Sequence, residues 1–158
     1  MTLRRLLGIE LPVVQAPMAG VQGSALAIAV SNAGGLGSLP CAMLSADAMA
    51  AELAALRAGT SKPFNVNFFC HAAPTPDERR EAAWRAQLGP YYDEFGIDAA
   101  AIPAGPGRAA FGVEAADAID AFRPAVVSFH FGLPSAGLLA RVKSWGSKVL
   151  SSATTVDE

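Results

Sequence analysis

Charge is scarce in this chain. Only 16% of its 158 residues are charged, the net charge is −2, and no block of like charge occurs. There is no electrostatic footprint for nucleic acid and no basic face for a membrane surface. Cysteine is nearly absent too. Cys41 and Cys70 stand far apart without a paired motif, which excludes a disulfide framework and fits a reduced, cytoplasmic chain. Cys70-His71 would be half of a metal site, but no second Cys/His pair exists, so both read as strand-end residues. No apolar run approaches the ~18 residues of a membrane span. Arg4-Arg5 before Leu6-Leu7 has the look of a signal start, yet Glu10 and Pro12 end that run early.

What the chain does have is apolar bulk, 52% of residues, in a length sufficient for one domain with a real core. That balance suits strands buried on both faces. Leu11–Met18 reads as a first strand, with β-branched Val13 and Val14. Ser24–Asn32 reads as a helix capped by Ser24, and Asn32 with Gly34-Gly35 suits a left-handed stop. Leu36–Leu39, Pro63–Phe69, Ala125–Phe131 and Lys148–Ser152 read as further strands. The helices between them are one from Ser45 to Gly59, one opened by a Thr75-Pro76-Asp77-Glu78 capping box and ended by Gly89-Pro90, and two over 113–122 and 135–145. Residues 98–112, rich in Ala, Gly and Pro, read as a long loop, either a lid or a surface insertion.

Strands alternating with helices, and no hairpin signals, predict an α/β fold with a parallel sheet and right-handed crossovers. Thr155-Val156-Asp157-Glu158 has the pattern of a helix start, the alternative being a short polar tail. The expectation is a parallel (β/α) barrel of TIM type, cut after its fifth strand, with 1–158 forming part of a single domain. Such a piece leaves strand edges unpaired and open to self-association.

Chemistry is expected at the C-terminal ends of the strands, where α/β folds bind ligands. Gln15-Ala16-Pro17-Met18 closes the first strand with small and polar residues. Ala16 has almost no side chain, Pro17 removes a donor, and Met18 offers a soft contact, so a flat ring could lie against this backbone; the alternative is that Met18 is a core methionine. The glycines of Gly34-Gly35-Leu36-Gly37 close a helix and enter a strand, the reverse of a dinucleotide fingerprint; they are expected to serve tight turning and close packing. Asn67 both donates and accepts, which suits the edge of a flavin or nucleobase. By period two, Asn65 and Asn67 share a face that is partly wet or bonded to neighbouring loops. His130 ends the fourth strand beside Gly132, placed as an acid, base or anion partner, or else as a core histidine bonded to a carbonyl.

Taken together, Gln15-Ala-Pro-Met18, Ala29-Val-Ser-Asn-Ala-Gly-Gly-Leu-Gly-Ser38, Lys62-Pro-Phe-Asn-Val-Asn-Phe-Phe-Cys-His71 and Val127-Ser-Phe-His-Phe-Gly132 resemble the N-terminal portion of the nitronate monooxygenases, class I in character. The resemblance implies a flavin-dependent TIM barrel that oxidises alkyl nitronates with dioxygen to a carbonyl compound and nitrite, without a metal. It implies that Ala16, Pro17 and Met18 lie against the ring of FMN, that Asn67 hydrogen-bonds it, and that His130 is catalytic on the substrate side. The family's Gly-Gly-His segment and phosphate loops lie beyond the matched residues, so the 158-residue chain alone is expected to hold FMN weakly and turn over nothing. The alternatives are a flavin-dependent enoyl-acyl-carrier-protein reductase of related fold and a non-catalytic half-barrel that works by association.

Overall fold

The structure is a computed structural model that describes residues 2–73, 75–102 and 109–157. The chain divides into two compact units, one of residues 1–71 and 108–158 and one of residues 72–107.

The larger unit is a parallel sheet with its covering helices. Four strands, β1 (Gly37–Pro40), β2 (Phe64–Phe69), β3 (Val126–His130) and β4 (Lys148–Ser151), pair in chain order. A short helix α1 (Leu3–Leu7) opens the chain, where the sequence suggested only a signal-like start. Helices α2 (Ser24–Asn32), α3 (Ala46–Gly59), α5 (Val113–Asp120) and α6 (Ala136–Ser144) belong to this unit, and α4 (Glu78–Phe95) makes up half of the smaller one. Among the described residues no helix is long and apolar enough to cross a membrane.

The first strand expected from the sequence, Leu11–Met18, is reduced to a single parallel bridge between Val14 and Leu36. Pro12 and Pro17 carry no N–H to give a ladder, and the Val13 amide donates back to Leu11 O at 2.8 Å. The α3 cap is as expected, with Ser45 accepting from the Ala48 amide. At α2 the cap is Gly23, while the Ser24 amide donates to the Glu52 carboxylate of α3 at 2.6 Å. At α4 the cap is Asp77, not Thr75, because the Asp77 carboxylate accepts from the Arg80 amide. That helix also runs through Pro90, its expected end, to a left-handed Gly96 at φ 62°. A proline forfeits one main-chain bond and bends a helix without having to stop it. Of the expected loop, 103–108 lies outside the described residues. Residues 154–156 form a bend, not the helix start that the 155–158 pattern suggested, and Glu158 lies outside the described residues.

The two faces of the sheet are chemically unlike. On the outer face Leu39, Val66, Phe68, Val127 and Phe129 pack with Ala27, Met49, Leu53, Leu56, Ile119 and Val142 from the helices into the main core. Each such fully buried aliphatic or aromatic side chain contributes roughly 1.5–3 kcal/mol by leaving water. The residues between them in the strands face the other way and carry the site.

Gly37 supplies the close approach expected of the glycine cluster. A Cβ there would stand 1.9 Å from the Ala27 carbonyl oxygen of α2. Gly34, at φ 93°, makes the left-handed turn that leaves α2.

Candidate functional site

The inner face grades from apolar to polar along the strands. At its base Leu36, Val126 and Leu150 pack with Leu6, Leu7 and Ile9 from the α1 segment. Beside this group, with Asn65 opposite Val126 and Ser128 opposite Leu150 in the register, Ser38, Asn65, Asn67 and Ser128 form a polar layer, all of them buried. Asn65 Nδ2 donates to Ser38 Oγ at 3.1 Å and to Ser128 Oγ at 2.9 Å. Asn67 Nδ2 donates to Ser128 Oγ at 3.0 Å and to Ser128 O at 3.3 Å. The sequence suggested a face partly wet or bonded to neighbouring loops; the amide nitrogens bond instead to strand residues. Its partners are serines of the two adjacent strands, brought opposite by the register Ser38 to Asn65 and Asn67 to Ser128. The backbone carbonyl of Ser128 can only accept, so it fixes which end of the Asn67 carboxamide points toward it. Asn65 Oδ1 is buried and has no hydrogen-bond partner among the described residues, which leaves an unused acceptor in the layer.

At the C-terminal edge, Phe69 and His130 stand opposite each other in the register, two residues beyond Asn67 and Ser128. His130 is half-buried, with its Nδ1 3.0 Å from Ser152 Oγ. It belongs to this edge and not to the closed core. A cleft of about 460 Å³ is lined by His130, Phe131, Gly132, Ser152 and Thr154. Phe131 takes a left-handed φ of 67° and packs edge-on against Phe69, ring centroids 5.1 Å apart. The register thus brings Asn67 and His130 onto one face as diagonal neighbours.

Ala16, Pro17 and Met18 follow the Val14 bridge as an open ledge, with Ala16 exposed, Pro17 half-buried and Met18 44% exposed. The ledge is tied down by the side chain of Gln15, a residue whose sequence context suggested no such role. Gln15 Oε1 accepts from the Ser38 amide at 3.0 Å, and Gln15 Nε2 donates to Gln22 Oε1 at 2.6 Å and to Ser38 O at 3.2 Å. Ser38, Ser128, Gln15 and Gln22 were the residues that motif reading missed. For Ser38 and Ser128 the local signal is a small side chain at a strand position of the inner face, whereas Gln15 and Gln22 lie outside the strands.

Both cysteines favour the protonated thiol. Burial pushes the Cys41 thiol up to about 12 and the Cys70 thiol up to about 11.

Comparison with known proteins agrees with this architecture. A family model described as nitronate monooxygenase matches residues 1–158. Two curated proteins named nitronate monooxygenase are similar to the chain. The one from Paraburkholderia phytofirmans is 43% identical over 97% of this chain, and the one from Pseudomonas aeruginosa is 41% identical over 98%. The chain spans only 42% and 44% of their lengths. A solved nitroalkane oxidase from Streptomyces ansochromogenes superposes with a TM-score of 0.81 at 35% identity, over 99% of this chain and 43% of that one. FabK from Thermotoga maritima superposes with a TM-score of 0.63 at 25% identity, over 94% of this chain and 36% of that one. The expected α/β barrel-type order of parallel strands and helices stands. With the match running over every residue, the chain belongs to the nitronate monooxygenase family, a family of oxidoreductases.

Proposed function

We propose that this chain forms part of a single FMN-binding barrel that oxidises alkyl nitronates with dioxygen to a carbonyl compound and nitrite. The observation that carries the reading is the graded inner face. A polar layer and a histidine lie at the C-terminal strand ends, beside a backbone ledge with little side-chain bulk. The residues present fit FMN. A planar ring needs a surface that lets it approach the main chain, which exposed Ala16 and donor-free Pro17 provide, and Met18 adds a polarisable edge. The Asn67 amide nitrogen is engaged by Ser128, so the carboxamide oxygen is what this residue offers to a ring N–H.

When bound, FMN supplies the redox step, taking electron density from an electron-rich nitronate carbon. The chain's own residues bind and orient. If Ser152 donates its hydroxyl proton to His130 Nδ1, Nε2 carries the ring proton and can donate to a nitronate oxygen. Phe69 and Phe131, with ring centroids 6.4 and 6.3 Å from His130, supply an apolar wall for the alkyl group.

The test is an FMN titration of the purified, desalted chain followed by flavin fluorescence and visible absorption. Saturable but weak binding is expected, lowered roughly three- to tenfold by Asn67→Leu for one lost hydrogen bond. No saturable binding, or binding indifferent to that substitution, overturns the assignment of the ring site. With an alkyl nitronate added, nitrite release by the 158-residue chain alone is expected to be nil. Consumption of reduced nicotinamide in its place favours the reductase reading.

A further inference from the structure

The ladder between the Gln15 segment and β1 stops for an identifiable reason. In a parallel pair the bridge at Val14 is made by the Leu36 amide donating to Val13 O at 2.9 Å and the Gln15 amide donating to Leu36 O at 2.9 Å. The next rung of the same pattern would join the Ser38 amide to Gln15 O, and the amide of residue 17 to Ser38 O. Residue 17 is proline, so the second bond cannot form. Side chains make both bonds instead. The Ser38 amide donates to Gln15 Oε1 at 3.0 Å. Ser38 O accepts from Gln22 Nε2 at 2.6 Å and from Gln15 Nε2 at 3.2 Å. Gln15 Nε2 also reaches Gln22 Oε1 at 2.6 Å and Ala16 O at 3.2 Å. Two carboxamides thus copy the donor and acceptor of a missing strand.

We propose that Gln15 and Gln22 are positioning residues for the ring site, acting as a side-chain rung. They satisfy β1 at Ser38, and they leave the main chain of 16–18 turned off the sheet and open to a flat ligand. The inference rests on the flavin reading above and deepens it. The chemistry is a division of labour. Pro17 breaks the ladder, the amides repair the sheet side of the break, and the ledge side stays unpaired. Without the amides, Ser38 would keep a buried donor and acceptor unsatisfied, and the ledge would lose its hold on β1.

Amide hydrogen exchange on the 158-residue chain tests this, comparing the wild type with Gln15→Met and Gln22→Met, each with and without FMN. In Gln15→Met the Ser38 amide is expected to exchange at least tenfold faster, while Val66 and Val127 keep their wild-type rates. FMN is expected to protect 16–22 in the wild type and far less in either variant. In Gln15→Glu, which keeps the acceptor but loses the donor, Ser38 protection should survive while FMN protection of the ledge falls. Unchanged Ser38 exchange in Gln15→Met overturns the rung. Faster Ser38 exchange with undiminished FMN protection overturns the positioning role but leaves the flavin reading intact. Absence of FMN protection in the wild type overturns the flavin reading, and the positioning role with it, even where the Ser38 result stands. A variant that unfolds altogether would show it at Val66 and Val127, and Gln22→Met, which leaves the Ser38 amide its acceptor, then decides the question.

Discussion

Replacing Gly37 with alanine should be among the costliest single-methyl changes in this chain. The added Cβ would lie 1.9 Å from Ala27 O, 2.6 Å from Ala27 C and 2.7 Å from Ser31 Oγ. Non-bonded carbon contacts sit at ~3.5–4.0 Å, so the backbone of α2 would have to retreat by about 1.5 Å. Neither neighbour is the free end of a flexible side chain. Two of the atoms are main chain, and Ser31 Oγ is itself held between the Gly37 amide at 3.2 Å and Pro63 O at 3.0 Å. Overpacking alone costs ~1–3 kcal/mol, and loosening two partly buried hydrogen bonds adds ~1 kcal/mol each. A loss of about 4 kcal/mol is expected, against the ~5–15 kcal/mol that holds an ordinary domain together. For a chain of this size that is a fall in Tm of roughly 8–16 °C. Urea unfolding followed by circular dichroism measures it. Gly137→Ala in α6 of the same unit is the control, because a Cβ there meets nothing within 4 Å. Helix propensity should make that change neutral or stabilising by up to ~1 kcal/mol. A Gly37→Ala penalty below about 1 kcal/mol would refute the close approach of α2 to β1.

Three further outcomes are expected. Ser128→Ala removes the hydroxyl that accepts from both Asn65 and Asn67, and should lower stability by ~2 kcal/mol in the same urea assay. Pro90→Ala restores an amide inside α4 and should slow hydrogen exchange there, a local gain of up to ~3 kcal/mol; unchanged exchange would mean that α4 is already broken at that point. Iodoacetamide should label Cys70 in the native chain roughly 100-fold more slowly at pH 8 than in the urea-unfolded chain. Burial raises this thiol from 9.0 to about 11, two pH units, and so holds its proton. Above pH 9 the unfolded chain binds fewer protons than the native one, so this cysteine's contribution to stability is lost as pH climbs from about 9 to 11.

The alternation of apolar strands with capped helices was legible in the residues themselves. So were the cap at Ser45, the turn at Gly34 and the close packing at Gly37, because each depends on neighbours a few positions away. The four motifs that resemble the nitronate monooxygenases were legible for the same reason, being contiguous runs. Legibility failed where one local signal met another. Asp77 outcompeted Thr75 for the α4 cap, and Pro90 was absorbed into the helix that it looked set to end.

From sequence alone, period two put Asn65 and Asn67 on one face of β2. What that face meets was decided by the register with β1 and β3, since Ser128 lies 63 residues from Asn65 along the chain and Ser38 lies 27. A side chain's period is a property of its own strand, whereas its hydrogen-bond partner belongs to another strand whose offset is set by packing of the whole sheet. The same holds at Gln15. The sequence shows a proline two residues on, but only the folded sheet brings Ser38 within reach and turns a broken ladder into a side-chain rung beside an open ledge.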